Sequence, residues 1–551
     1  MDLDVSGATI LANGGSGYIN SSNPLNGGLG GGGGGGRVAF YTNQLTGLGT
    51  ATVDVSGGLQ GTGQYGAAAH DGAAGTFRYF NDSLGYRNTL AYSKTLDDDA
   101  ALTGYWKLNE PAGSTTVADA TGNSHTGTAS GGVTFGYSAA MTTLDGSASF
   151  DGVNGKITVP YDASLNPNLL TFETWAKVEG GEGAYRSPIT SRGSATGYMF
   201  YAEDTDVWGY WVGTGSTWGA LRSNVSVEIG QWVHLAGTHD GTTQNFYING
   251  NLVASTTSSY APNTTADVNI GAGGSSGTNY FFNGKIGNVA VLNQALDAQS
   301  IADHYNSASR YASAVIADNP TAYWRLGEQN GAIANDAVGS RDGTYVNSPA
   351  VRQFDMALPY DVDTAVAFDG SNDHVLTGIT DAIAPPLSVE AWIKTTDTDG
   401  GIVNKYVSSS HNGFQVFMVD GQLAGWYFAD EDNYTRTDGS GQSDPNLAIA
   451  DGLWHHTVTV FDATGTTHYV DGELAFHTGW TGTMASSTET TALTLAAYGN
   501  NYFEGLLDEV AIYGYALSAE QVLAHYETAV PEPSGLVLLV AGILGWLLCR
   551  R

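Results

Sequence analysis

Cysteine is all but absent from this chain: Cys549 is the only one in 551 residues. Internal disulfides and cysteine-rich zinc sites are therefore excluded, and stability must come from packed elements or a bound ion. Basic residues are scarce too, 20 against 54 acidic ones, for a formal charge of -34. Such a surface repels phosphate backbones and excludes electrostatic binding of nucleic acid. It suits an extracellular protein or a cation binder. Prolines number 14 and charged residues make up 13%, whereas 76 glycines and 30 tyrosines favour many short strands joined by turns. An all-β fold is expected. Met1 to Gly15 has neither the basic start nor the apolar core of a secretory signal peptide. The chain is thus expected to begin partway through a longer protein.

What is present is a duplication. Tyr105 Trp106 Lys107 Leu108 Asn109 Glu110 returns as Tyr323 Trp324 Arg325 Leu326 Gly327 Glu328, and Phe150 Asp151 Gly152 as Phe368 Asp369 Gly370. Glu173 Thr174 Trp175 matches Glu390 Ala391 Trp392, and Tyr247 Ile248 Asn249 Gly250 matches Tyr469 Val470 Asp471 Gly472. The offset is 218 at the first tryptophan (324 minus 106) and 221 at the closing tyrosine (526 minus 305). A repeat of this length is a whole domain, since solenoid units run about 20 to 50 residues. The copies are assigned to 93–312 and 313–529. Asn249 Gly250 and Asp471 Gly472 read as hairpin turns between apolar runs, and Ser518 with Gln521 reads as a capping box opening a short closing helix.

The second copy's Tyr323–Glu328 opening, its Phe368–Asp373 run, its Glu390 Ala391 Trp392 and Trp454 His455 His456 strands and its Asp508–Tyr513 ending together resemble the LamG-like jellyroll domain of the concanavalin A-like lectin/glucanase superfamily. The resemblance covers roughly 430 residues and implies, for each copy, two curved antiparallel sheets packed face to face. The first copy departs from it, with Gly287 Asn288 where the second has Asp508 Glu509. Residues 1–92 stand apart. Asp4 Val5 Ser6 Gly7 recurs as Asp54 Val55 Ser56 Gly57, and the short strands with glycine turns resemble the end of a secreted parallel β-helix. The alternative for that region is a glycine-rich linker. The glycines at 30–36 precede Arg37 and Val38, not the lysine and hydroxyl of a phosphate-cradling loop.

The tail, residues 530–551, carries Val530 Pro531 Glu532 Pro533, an apolar run from Gly535 to Cys549, and the terminal pair Arg550 Arg551. The run spans about 22 Å as a helix, short of the roughly 20 residues that cross a bilayer comfortably. The three parts together resemble a PEP-CTERM sorting signal. That resemblance implies an exosortase-type partner that cleaves the tail, transient membrane anchoring by 535–549, and export of everything before Val530, with the arginines left inside.

Because the superfamily includes glycosidases, the carboxylates need testing. Retaining enzymes hold two about 5 to 5.5 Å apart, which a strand supplies as acidic residues at alternating positions. No such set occurs: Glu173 and Glu390 each stand alone, and Asp430 Glu431 Asp432 is contiguous, as a solvated turn would be. His304 and His525 recur in the closing helices and read as structural. The expectation is a non-catalytic protein, with a glycosidase as the lesser alternative. Trp208, Tyr210, Trp211 and Trp218 cluster in the first copy, and Trp426, Tyr427 and Tyr434 occupy the comparable stretch of the second. Aromatic rings stack on sugar faces, but in a sandwich they also fill cores. Trp208, Tyr210, Trp218, Trp426 and Tyr434 are taken as the glycan-binding candidates, with Trp208 and Trp218 expected to be exposed. For a calcium ion, which related jellyroll domains hold, the candidates are Asp336 and Asp508 of the second copy, against Asp119 and Gly287 in the first. The resulting expectation is an exported bacterial surface or matrix protein that binds glycan or a protein partner. A structural adhesin or spacer is the rival.

Overall fold

The computed structural model describes residues 91–530, apart from 142–143, 275–278, 359–360 and 438–444, together with backbone strands within 2–81. The described residues fall into two units, the strands within 2–81 and residues 91–530. In the first unit the strand Asp2–Asp4 pairs in parallel with Gln44–Thr46, Thr9–Asn13 with Thr52–Val55, and Arg37–Thr42 with Thr76–Asn81. The partners lie 42, 43 and 39 residues apart (44 minus 2, 52 minus 9, 76 minus 37). The apolar run 535–549, the Pro531 Glu532 Pro533 motif and Arg550 Arg551 lie outside the described residues. Among the described residues no helix is long and apolar enough to cross a membrane.

Among the described residues the second unit is all-β with four short α-helices: α1 (Ala91–Asp97), α2 (Ala298–Ala308), α3 (Arg310–Ala317) and α4 (Ala519–Ala529). It contains two sandwiches built to one plan. In the first, one sheet runs Val133–Tyr137, Ser147–Asp151, Asn283–Leu292, Leu170–Val178, Trp232–His239, Thr243–Ile248, Asn251–Thr257. The sheet facing it runs Trp218–Ser226, Val207–Gly213, Gly197–Ala202, Ile189–Arg192, Val268–Ile270, Lys156–Val159, Gly127–Ser130, Thr116–Val117. In the second sandwich the corresponding strands, Leu387–Lys394 and Gln422–Phe428 among them, take the same places. The fold class and the jellyroll resemblance are as the sequence implied.

Strand parity sorts the side chains. Along Leu170–Val178, Leu170, Phe172, Ala176 and Val178 enter the core between the sheets, while Glu173 and Trp175 point to the opposite face. Leu387, Val389, Ala391 and Ile393 repeat this in the second sandwich, with Trp392 on the opposite face. That opposite face is covered by helices, α1 and α2 in the first module and α3 and α4 in the second.

Each helix pair is seated by matched contacts. Both residues of each two-residue turn have positive φ, Asn249 49° and Gly250 76°, Asp471 53° and Gly472 79°, as a type I′ hairpin requires. A Cβ on Gly250 would stand 3.1 Å from the Tyr305 ring, and one on Gly472 3.0 Å from Tyr526. Those tyrosines stack on Trp175 and Trp392, at 5.8 and 6.1 Å between centroids. Helix α4 opens with the expected capping box of Ser518 and Gln521.

Helices α2 and α3 meet close to the junction drawn between 312 and 313. Ser309 closes α2 and caps α3, and Tyr311 of α3 bonds Glu390 of the second module. Tyr92 of α1 bonds Glu173 in the same way. In each copy a short helix thus precedes the Tyr-Trp motif and ties to the buried glutamate of the sheet.

Candidate functional site

The outer face of the second sheet is where the aromatic candidates separate. On Val207–Gly213 alternate residues face opposite ways, so Trp208, Tyr210 and Val212 enter the core and Trp211 faces out. The expectation that Trp208 is exposed and that Tyr210 joins a platform is thereby corrected: they are 1% and 0% exposed. Tyr427 is likewise core. Trp211, Trp218, Trp426 and Tyr434 are half-buried on the outer face.

In the first module Trp211 anchors a set of rings. Tyr201 lies edge-on to it at 5.8 Å and Tyr185 at 6.2 Å, and Tyr280 meets both tyrosines at 5.6 and 5.7 Å. The indole Nε1 donates to Glu203 Oε1 at 2.7 Å, and Arg222 Nε donates to Glu203 Oε2 at 2.6 Å. Glu203 is fully buried, and Gly209 makes room for it: a Cβ there would lie 2.4 Å from Oε1. Trp218 carries Arg192 over its ring at 4.8 Å, and Arg192 Nη1 donates to Tyr201 Oη at 2.9 Å.

The second module has the corresponding tryptophan. Trp426 pairs with Gln415 and Arg436 across its sheet, as Trp211 pairs with Met199 and Ala220. Tyr406, Phe417 and Phe428 stand edge-on to it at 5.7, 5.2 and 6.0 Å. Tyr434 stacks on Phe428 at 4.7 Å, with Arg436 at 5.6 Å over the Tyr434 ring. Sequence proximity found Trp211, Trp218, Trp426 and Tyr434. It missed Tyr185, Tyr201, Tyr280, Tyr406, Phe428, Arg192, Arg222 and Glu203, which come from separate strands and turns; period-two parity was the signal available for those on strands.

The solitary glutamates are buried acceptors. Glu173 takes Tyr92 Oη at 3.0 Å and His304 Nδ1 at 3.1 Å. Glu390 takes Tyr311 Oη, His456 Nε2 and Tyr513 Oη at 2.7 Å each and His525 Nδ1 at 3.0 Å. Burial works against ionisation of both carboxyls, yet His525 and His456 hold Glu390 well below the usual carboxylate range, as His304 and His234 hold Glu173. Against its own burial, His525 is lifted to about 9, chiefly by Glu390. These groups fasten helices to the sheet. Asp430 accepts the backbone N–H groups of Asp432 and Asn433, as a turn residue does.

The calcium candidates have separate surroundings. Asp336 accepts backbone N–H groups from Tyr323, Val338 and Arg341, as Asp119 does from Tyr105, Thr121 and His125 in the first module. Asp508 is buried with Glu509, Asp361 and Asp363 about Arg325, whose Nη2 lies 2.9 to 3.0 Å from the last three. The partner sets of Asp336 and Asp508 share no residue. Burial, with Asp361 beside it, lifts Glu509 to about 7 against the pull of Arg325. Among the described residues no group of three or more His, Cys, Asp or Glu is arranged to hold a metal ion.

No curated protein sequence matches the chain significantly. Solved structures similar to it include domain 4 of AbnA, a GH43 extracellular arabinanase from Geobacillus stearothermophilus, in complex with arabinotriose: 19% identity, covering 38% of this chain and 100% of that one, TM-score 0.30. Domains LG4-5 of mouse laminin alpha1 are 12% identical over 70% and 92%, TM-score 0.25. The receptor binding domain of botulinum neurotoxin type G is 12% identical over 67% and 87%, TM-score 0.31. The family model described as the Concanavalin A-like lectin/glucanases superfamily matches residues 151–302 and 369–523, one segment in each sandwich and together more than half of the chain. The chain belongs to that superfamily.

Proposed function

We propose that this is a non-catalytic, exported surface or extracellular-matrix protein whose two lectin-like modules bind glycan through the outer faces of their second sheets. The observation that carries the reading is the matched placement of Trp211 and Trp426, each half-buried amid aromatic neighbours and an arginine on a face outside the core. A ring held this way offers an apolar surface at little entropic cost, while adjacent polar groups orient a sugar. A protein partner at the same faces is the second reading, and a spacer without ligand is the rival.

The test uses Trp211→Ala, Trp426→Ala and the double variant on a glycan array, with thermal melting alongside. Each single variant is expected to weaken binding and the double variant to abolish it while all stay folded, whereas Trp208→Ala costs about 3 to 5 kcal/mol of stability because it empties core volume. Array binding that survives the double variant in a folded protein removes the reading.

Export and anchoring rest on the tail: Val530 Pro531 Glu532 Pro533, the apolar run and Arg550 Arg551 support cleavage by an exosortase-type enzyme. Peptides extending through Trp546 in mature surface material would contradict it. The parallel strand pairings of 2–81 support a β-helix end for the N-terminal region. Calcium binding by the second module through Asp336 and Asp508 rests on the family resemblance and the acidic charge. A melting temperature equal in millimolar calcium and in chelator removes it.

A further inference from the structure

Among the described residues Arg192 is a cation without an anion. In a chain of 54 acidic and 20 basic residues, nearly every cation has carboxylates to choose from. Arg222 pairs with Glu203, Arg186 with Asp206, Arg352 with Glu228 and Lys394 with Asp355. Arg341 and Lys405 take no carboxylate, but their donors go to backbone carbonyls, of Thr321 for the first and of Ile379, Thr380 and Thr491 for the second. Arg192 does neither. Its Nη1 donates to the Tyr201 hydroxyl, its plane lies against Trp218, and its Nε–H has no partner among the described residues.

The backbone puts it there by design of the sheet. Arg192 pairs with Gly197, the register continues through Tyr198 opposite Val212, and Gly213 pairs with Trp218. Ala261 bridges the two glycines, accepting from the Gly197 N–H and donating to the Gly213 carbonyl, and the guanidinium reaches the indole from the strand end beside them. Trp211 and Tyr201 stand in the neighbouring rows of the same face.

A guanidinium offers in-plane N–H pairs that match a carboxylate, and a π face supplies no acceptor in that plane. The ligand that completes the group must carry an anion beside a ring with an apolar face, because rings flank Arg192. A uronic acid has both in one residue. We propose, on the footing of the glycan reading above, that the first module's outer face binds uronate-containing saccharides, with the uronate carboxylate on Arg192 and the sugar ring on Trp218 and Trp211.

The experiment is calorimetric titration of the full chain with galacturonate, glucuronate and mannuronate trimers, each beside the same trimer with its carboxyls reduced to alcohols. At least one uronate trimer is expected to bind ten-fold or more tighter than its reduced partner, with affinity falling as salt rises. Arg192→Gln is expected to equalise the two by weakening the uronate trimer ten-fold or more. Equal binding of charged and reduced trimers by the unaltered chain overturns the inference and leaves the glycan reading standing; no binding of any trimer, on the array or in titration, overturns both. A preference that survives Arg192→Gln also overturns it. A triglutamate peptide that binds as tightly as the best uronate overturns the saccharide assignment in favour of an acidic protein partner.

Discussion

His525 Nδ1 lies 3.0 Å from Glu390 Oε2, joining the closing helix to a strand 135 residues earlier, while His525 Nε2 lies 3.1 Å from Asp318 at the end of α3. One imidazole thus ties α3, α4 and the sheet together. His525 is raised from its ordinary range to about 9, so its contribution is fully present below the unfolded value near 6.5 and is lost as pH rises through about 9. Glu390 is depressed, so its contribution is present above the unfolded value near 4.5 and is lost only in strong acid. The melting temperature is expected to fall between pH 7 and 10. His525→Gln should lessen that fall and cost about 3 to 5 kcal/mol at neutral pH, since it leaves a buried carboxylate short of its partner. Melting curves of both proteins across that range decide it.

Glu509 works in the opposite chemical sense. Its carboxyl is raised to about 7 in the fold, so it favours the folded state below about pH 4.5 and loses that contribution as pH rises through 7. Glu509→Gln is expected to flatten the stability profile between pH 5 and 8. The first module predicts this already: Asn288 stands at the same place and accepts from Tyr105 at 2.7 Å, where Tyr323 donates to Glu509. A profile as steep in the variant as in the parent rejects the assignment.

Gly472→Ala meets two obstacles, the positive φ of the turn and the Tyr526 ring 3.0 Å from the new Cβ. A loss of more than about 1 kcal/mol is expected, read from urea denaturation midpoints. Gly331→Ala is the control, because that glycine also has positive φ, 98°, with no atom within 4 Å of a Cβ. Equal losses at both sites would assign the whole effect to backbone conformation.

Fragments test the module boundary. Residues 309–530 keep Tyr311 and its bond to Glu390, and a fragment starting at 313 loses them. The longer fragment is expected to melt higher by several degrees, as one buried hydrogen bond to a charged group and the surrounding packing are retained. Equal melting temperatures would leave the boundary at 312.

The duplication, the sandwich, the Asn249 Gly250 and Asp471 Gly472 turns and the Ser518 cap were legible because each depends on local residue chemistry repeated twice. Helices α1 and α3 were not, since seven- and eight-residue helices carry little periodicity and their key contacts, from Tyr92 and Tyr311, reach 81 and 79 residues along the chain. Trp208 was misread because closeness in sequence to Trp211 and Trp218 was weighed above alternation along the strand. Arg192 was overlooked since its isolation from carboxylates exists only once the sheets are assembled.

Ser309 ends one helix and begins the next, so the modules meet without a spacer. Arg352 reaches back to Glu228 and the Ser226 carbonyl, and Arg325 to Asn306. On the glycan reading proposed above, a pair of faces so joined cannot search independently. A polymer presenting its epitopes at the matching interval gains a high effective concentration at the second face once the first is engaged, and one with any other spacing gains none. On that reading, avidity is set by a single serine's lack of slack.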